Sequence, residues 1–203
     1  MIVEQIPAEI YTSNIYKITI DKFVWLVDIG NAKPVFQSLS LGEYVIGTFI
    51  THSHYDHIHG INEIAERYPE CTFFASEYAK QGLFSDKLNL SFYHENPIVY
   101  RGSQVELIND NSIIPLSKDF SIRCIYTPGH NEGSMCFMLE NFLFTGDSYI
   151  PEIPVVTKLK SGDKAKNELS LAQIKSLIKP ETIICPGHGK MFIGKDIIID
   201  GIK

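Results

Sequence analysis

Thr51-His52-Ser53-His54-Tyr55-Asp56-His57-Ile58-His59-Gly60 is the stretch on which the reading of this chain turns. It holds four of the seven histidines, with Asp56 among them. Imidazole nitrogens and carboxylate oxygens are the ordinary ligands of zinc, manganese and iron. Alternation at His52 and His54 puts both rings on one side of an extended segment, and Asp56 and His57 then turn toward the neighbouring volume. The preceding run, Val45 to Ile50, is short and apolar and reads as a buried strand. The following run, Ile61 to Tyr68, reads as a helix with Ile61, Ile64 and Ala65 on one face. The histidines therefore occupy a strand-to-helix turn, where rigid elements hold a site on a loop. Such a turn is a metal site.

The same pattern, a strand followed at once by a ligand-type residue, recurs at three places. Ser121 to Tyr126 runs into Thr127-Pro128-Gly129-His130, Phe142 to Phe144 leads to Thr145-Gly146-Asp147, and Ile183 to Cys185 ends at Pro186-Gly187-His188. Four strand ends converging on one edge would assemble a site that no local segment could make.

His-x-His-x-Asp-His after a hydrophobic strand, followed in order by Pro-Gly-His, Gly-Asp and a last Gly-His, resembles the metallo-β-lactamase superfamily. Val27-Asp28-Ile29-Gly30 is similar to the family's early Asp-x-Gly turn, and the resemblance runs from about residue 14 to residue 190. It implies an α/β fold, a four-layer αβ/βα sandwich of two mainly antiparallel sheets flanked by helices, with metals at one edge. It also implies a division of ligands. His52, His54 and His130 would hold one divalent cation, Asp56, His57 and His188 a second, and Asp147 would bridge the two. Zinc is expected at both, with iron or manganese as alternatives. Two such ions share a water and lower its pKa from about 15.7 toward about 7. The ionised bridging water is then the nucleophile, and Asp56 is expected to orient it or take its proton.

Within the superfamily the chain is most similar to glyoxalase II-like thioesterases, through Thr-Pro-Gly-His and Gly-Asp. It ends 15 residues after His188, so the helical glutathione-binding domain of those enzymes is not expected. Asn131-Glu132-Gly133-Ser134 also departs from their commoner Thr-Pro-Gly-Ser. A cysteine replaces the counterpart of Asp147 in the commonest zinc β-lactamases, which disfavours antibiotic hydrolysis. The resemblance thus implies a metal-dependent hydrolase of a small anionic thioester, lactone or ester. The alternatives are a mononuclear-iron oxygenase like the persulfide dioxygenases, and a non-catalytic metal-binding or sensor module.

Composition agrees with one soluble domain over residues 1–203, with 44% hydrophobic and 21% charged residues. The net charge of −6 argues against a nucleic-acid surface, which needs clustered Lys and Arg. No apolar run approaches the roughly 18 residues of a membrane span, and the first five residues lack the opening of a signal peptide. Cys71, Cys124, Cys136 and Cys185 lie in apolar β-type segments without Cys-x-x-Cys pairing, which suits buried thiols in a reducing compartment. A cytoplasmic protein acting on a small molecule, without nucleic-acid or membrane partners, is expected.

In chain order, Ile15–Ile20 and Phe23–Val27 flank Asp21-Lys22 as a hairpin, and Pro34 to Leu41 forms a short helix. Cys71 to Ala75 is a strand, and Ser76 caps a helix over Glu77 to Leu83. Residues 84 to 102 mix aromatics with polar residues and lack a period; a lid and a plain connection stay equally open, and His94 within it reads as a surface histidine. Val105–Ile108 and Ile113–Leu116 are strands, and Met135–Leu139 with Phe142–Phe144 make a second hairpin. Residues 151 to 166 read as a lysine-bearing loop, and Asn167 to Lys179 as a helix closed by Pro180. Ser148, Cys185 and Tyr149 lie near ligands in sequence but read as packing and turn residues. His59 is not counted as a ligand.

Overall fold

Antiparallel pairing needs only a tight turn, whereas parallel pairing needs a crossover long enough to hold a helix, and the chain uses both. The computed structural model describes residues 1–200, with the backbone alone at 199 and 200. It divides into two units, Met1–Ile108 and Asn109–Lys203, each built on one sheet of six strands.

The first unit opens with β1 (Ile2–Pro7), β2 (Asn14–Ile20) and β3 (Phe23–Val27), paired antiparallel in sequence order. Asp21, in the turn between β2 and β3, takes the left-handed conformation at φ 57°, as a tight hairpin requires. Beyond β3, helices carry the chain back to the same edge. α1 (Ala32–Ser38) precedes β4 (Tyr44–Phe49), α2 (Tyr55–Ile58) and α3 (Ile61–Arg67) precede β5 (Thr72–Ala75), and α4 (Glu77–Leu83) precedes β6 (Val105–Leu107). Three of the five pairings are consequently parallel, so this sheet is mixed where a mainly antiparallel one was expected. Val24, Leu26, Val35, Ile50, Ile64 and Phe73 belong to the buried cluster that seats these helices.

The second unit runs β7 (Ile113–Pro115), β8 (Ser121–Tyr126), β9 (Met135–Leu139), β10 (Phe142–Gly146), α5 (Lys164–Leu177), β11 (Ile183–Pro186), β12 (Phe192–Ile193) and α6 (Gly194–Asp200). Its sheet is antiparallel except where β10 meets β11 across the α5 crossover. Ile125, Leu143, Tyr149, Ile174 and Ile184 share its buried core. Two six-stranded sheets with flanking helices bear out the α/β class. α5 starts three residues before the expected Asn167, because Asp163 caps it, accepting from the amides of Ala165 at 2.8 Å and Lys166 at 3.0 Å. Residues 84–102 contain one short 3-10 turn, Ser91–Tyr93.

Strand direction places the ligand-type residues. β3 and β4 are parallel, so Asp28 and the His-rich turn leave the same edge of the first sheet, tied by Asp28 N–H to the Phe49 carbonyl at 2.9 Å. In the second sheet β8, β10 and β11 all point one way, so His130, Asp147 and His188 leave one edge together. Gly187 N–H donates to the Gly146 carbonyl at 2.8 Å, which ties two of those turns.

Candidate metal centre

In the first unit the extended backbone at His54 (φ −65°, ψ 149°) sets the His52 and His54 rings side by side, with centroids 4.6 Å apart. The His57 ring lies 4.3 Å from His52, and all three are buried. Each of two rings is fixed by a partner at Nδ1. His57 Nδ1 donates to Asp28 Oδ2 at 2.8 Å. Thr51 Oγ1 donates to the same oxygen at 2.6 Å, so its lone pairs are what His52 Nδ1 meets at 3.0 Å. Both rings therefore carry their proton on Nδ1 and keep a lone pair on Nε2, the usual state of a metal-binding histidine.

Asp28 anchors the histidines of the first unit. Its Oδ1 also accepts from Thr51 N–H at 2.7 Å. Burial raises its pKa, opposed by the neighbouring His57 and by the donated hydrogen bonds. With every contact a donor, the carboxylate acts as acceptor only. Asp28 has no place in the ligand division implied by the sequence, although ligand-type atoms of Asp28, His52 and His57 lie within 4.8 Å of one another. Asp56 Oδ2 is 3.6 Å from His57 Nε2, and the Asp56 carbonyl accepts from Ser13 Oγ at 2.7 Å. Gly30 permits that approach: a Cβ there would stand 2.4 Å from Ser13 Oγ and 2.6 Å from the Asp56 carbonyl oxygen.

In the second unit Asp147 Oδ2 lies 3.6 Å from His130 Nε2 and 3.5 Å from His188 Nε2. One carboxylate oxygen thus sits between two imidazoles. His130 Nδ1 donates to the Val156 carbonyl at 2.8 Å, so its proton sits on Nδ1 and its lone pair on Nε2. His130, Asp147 and His188, with Ile150, Ile153 and Val156, line a cavity of about 240 Å³. Gly129, at φ +143°, carries the chain into His130, and a Cβ there would meet the α5 backbone at Asn167 Cα, 2.4 Å away.

The donor set fits divalent cations. Ligands at about 2.0–2.2 Å from a tetrahedral ion stand roughly 3.3–3.6 Å apart, the spacing of the Asp56–His57, Asp147–His130 and Asp147–His188 pairs. Those pairs stand at or beyond the long limit for a hydrogen bond.

The neighbouring residues have structural employment. Ser148 Oγ donates to the Thr127 carbonyl and accepts from Thr127 Oγ1, both at 3.1 Å. Cys185 is buried and its thiol pKa is pushed well up by desolvation, the opposite of an activated nucleophile. Tyr149 packs among Ile125, Leu143 and Ile184 in the second core. His59 ends α2 and meets Tyr55 edge-on; burial lowers its pKa, against the pull of Glu63. Lys166 pairs with Glu132 at 2.6 Å. Sequence reasoning did not find the Val156 carbonyl, since a backbone acceptor leaves no signature, and it saw Asp28 only as a turn.

A family model described as the Metallo-beta-lactamase superfamily matches residues 13–188. Several solved structures share the fold. The BLEG-1 B3 metallo-beta-lactamase is 22% identical at TM-score 0.85, with 98% of this chain and 97% of that chain covered. TTHA1623, in a di-iron-bound form, is 19% identical at TM-score 0.80, with 97% of each covered. ETHE1 from Myxococcus xanthus is 18% identical at TM-score 0.71, with 97% of this chain and 81% of that chain covered.

Proposed function

The chain belongs to the metallo-beta-lactamase superfamily, and on that premise we propose that it is a metal-dependent hydrolase of a small anionic thioester, lactone or ester. The observation that carries this is the commitment of Nδ1 in His52, His57 and His130 to Thr51, Asp28 and Val156. Rings held this way offer Nε2 as a ready ligand, beside carboxylates at ligand spacing.

His52, His54, His130, Asp56, His57, His188 and Asp147 would hold two divalent ions, zinc or iron. The ions would supply Lewis acidity, lowering the pKa of a shared water and stabilising charge on a substrate oxygen. Asp56 Oδ2 would orient that water or take its proton. Asp147, whose one oxygen lies beside both His130 and His188, would contribute its negative charge to the ligand set. The side chains of Ile150, Ile153 and Val156 give the substrate an apolar wall and exclude water. Since Ser148 and Cys185 are otherwise engaged or inert, no acyl-enzyme is required. Among the family's branches a glyoxalase II-like thioesterase fits Thr127 to His130 and Gly146-Asp147.

Elemental analysis of protein purified without chelator tests this. About two zinc or iron ions per chain supports the hydrolase. A reproducible single iron points to the oxygenase, and no tightly held transition metal removes the metal centre altogether.

A further inference from the structure

Tyr55 stands between His54 and Asp56, yet the proposed reaction gives its side chain no part. Its ring stacks on the imidazole of His94, with centroids 4.0 Å apart and planes inclined by 13°. Tyr11 leans on His94 from 5.8 Å, and His59 meets the Tyr55 ring edge-on at 5.1 Å. Three separate stretches of the first unit thus join through one stack.

Other contacts hold each side of that stack at its base and leave its tip to the stack. Residues 89–98 are closed at their base. Buried Asn89 donates to the carbonyls of Gly82 at 3.1 Å and Ile98 at 2.8 Å, and Ser91 Oγ accepts from Ile98 N–H at 2.9 Å. Their outer side chains, Phe92 and Tyr93, are exposed, and half-buried His94 is the side chain that stacks the tip onto α2. Opposite it, α2 is four residues long, too short to persist on its own hydrogen bonds; Ser13 and Ile29 bind its Asp56 and His57 carbonyls, and the Tyr55 side chain on its outer face meets His94.

We propose that His94 is a positioning residue: stacked on Tyr55, it makes residues 89–98 a fixed wall and holds α2 in the conformation that presents Asp56 and His57. The consequence for catalysis rests on the metal-hydrolase reading, whereas the mechanical coupling does not.

Amide hydrogen exchange on the metal-free protein separates the two. The Phe92 amide donates to Asp86 at 3.1 Å within the wall, and the His57 amide donates to His54 at 2.9 Å within the turn. His94→Ala should speed exchange at both by roughly two- to tenfold, the loss of one aromatic contact. His94→Phe, which keeps a stacking ring, should restore both, and β3 amides should stay unchanged in either variant. An unchanged His57 amide in His94→Ala, or failure of His94→Phe to restore it, overturns the proposal. Absence of turnover on any ester or thioester would overturn the hydrolase reading and leave the coupling standing.

Discussion

Asp56 and Asp147 are both carboxylates beside histidines, and their surroundings set them different tasks. Asp147 shares one oxygen between His130 and His188, whereas Asp56 Oδ2 lies 3.6 Å from His57 Nε2 on the turn between His54 and α3. Asn keeps the shape of either side chain but removes its charge and leaves a weaker ligand. Asp147→Asn should therefore lower the metal count, with activity partly restored by excess metal. Asp56→Asn should lose rate more than metal, by roughly 10²–10⁴-fold if it handles the proton, and should respond poorly to added metal. Metal titration of both apo-variants while following turnover reads the difference, and full recovery of Asp56→Asn would reduce that residue to a ligand. Asp28→Asn touches no bound ion directly in this account. It weakens the acceptor of His57 and Thr51, and metal affinity measured by competition with a chelator should fall about 10–100-fold. The residues proposed as ligands stand out in the sequence because each lies in a short motif behind a strand. The atoms that orient them were not. Asp28 reaches His57 across 29 positions, and Val156 serves His130 through a carbonyl that any residue would provide.

Elements bring those residues to their edges. The Pro128-Gly129-His130 turn lies on the start of α5, where Asp163 N–H donates to the Gly129 carbonyl at 2.8 Å. Gly129→Ala adds a methyl group against helix backbone rather than against a flexible side chain, at a φ that L-residues rarely adopt. It should cost roughly 1–3 kcal/mol, seen as a lower denaturant midpoint, and should loosen metal held through His130. A variant as stable as the parent would show that α5 can yield there. Strands and capped helices of these elements were readable in the sequence: Ser76 accepts from Ala79 N–H at the expected start of α4. The start of α5 was misplaced because its lysine-rich first turn looks like loop, and only the Asp163 cap marks it. The mixed first sheet was not foreseen either. Local pattern identifies a strand but does not say which way its neighbour runs.

At the scale of the whole chain, the four cysteines are buried. Desolvation pushes Cys71, Cys124 and Cys136 up to about 12, and Cys185 also upward. An acid whose pKa is raised on folding favours the folded state while it stays protonated. That contribution is complete below the ordinary thiol range and falls as pH rises through it toward 12. Native protein at pH 8 should accordingly resist iodoacetamide, with four thiols modified per chain after unfolding; fast modification of the folded protein would contradict this burial. Fold class was legible because five of the six strands in each unit show as short apolar runs bounded by helix or turn signals, whereas β1 and the two-residue β12 do not. Substrate was not, because the cavity wall at Ile150 to Val156 is set by loop conformation rather than by a motif. The central claim, that paired divalent ions make this chain a hydrolase, meets its most direct test in one titration. Zinc is added to metal-free protein while hydrolysis of a panel of thioesters, lactones and esters is followed. The account predicts turnover of at least one member, rising with zinc and levelling at two ions per chain; no turnover of any member by the fully loaded protein would contradict it.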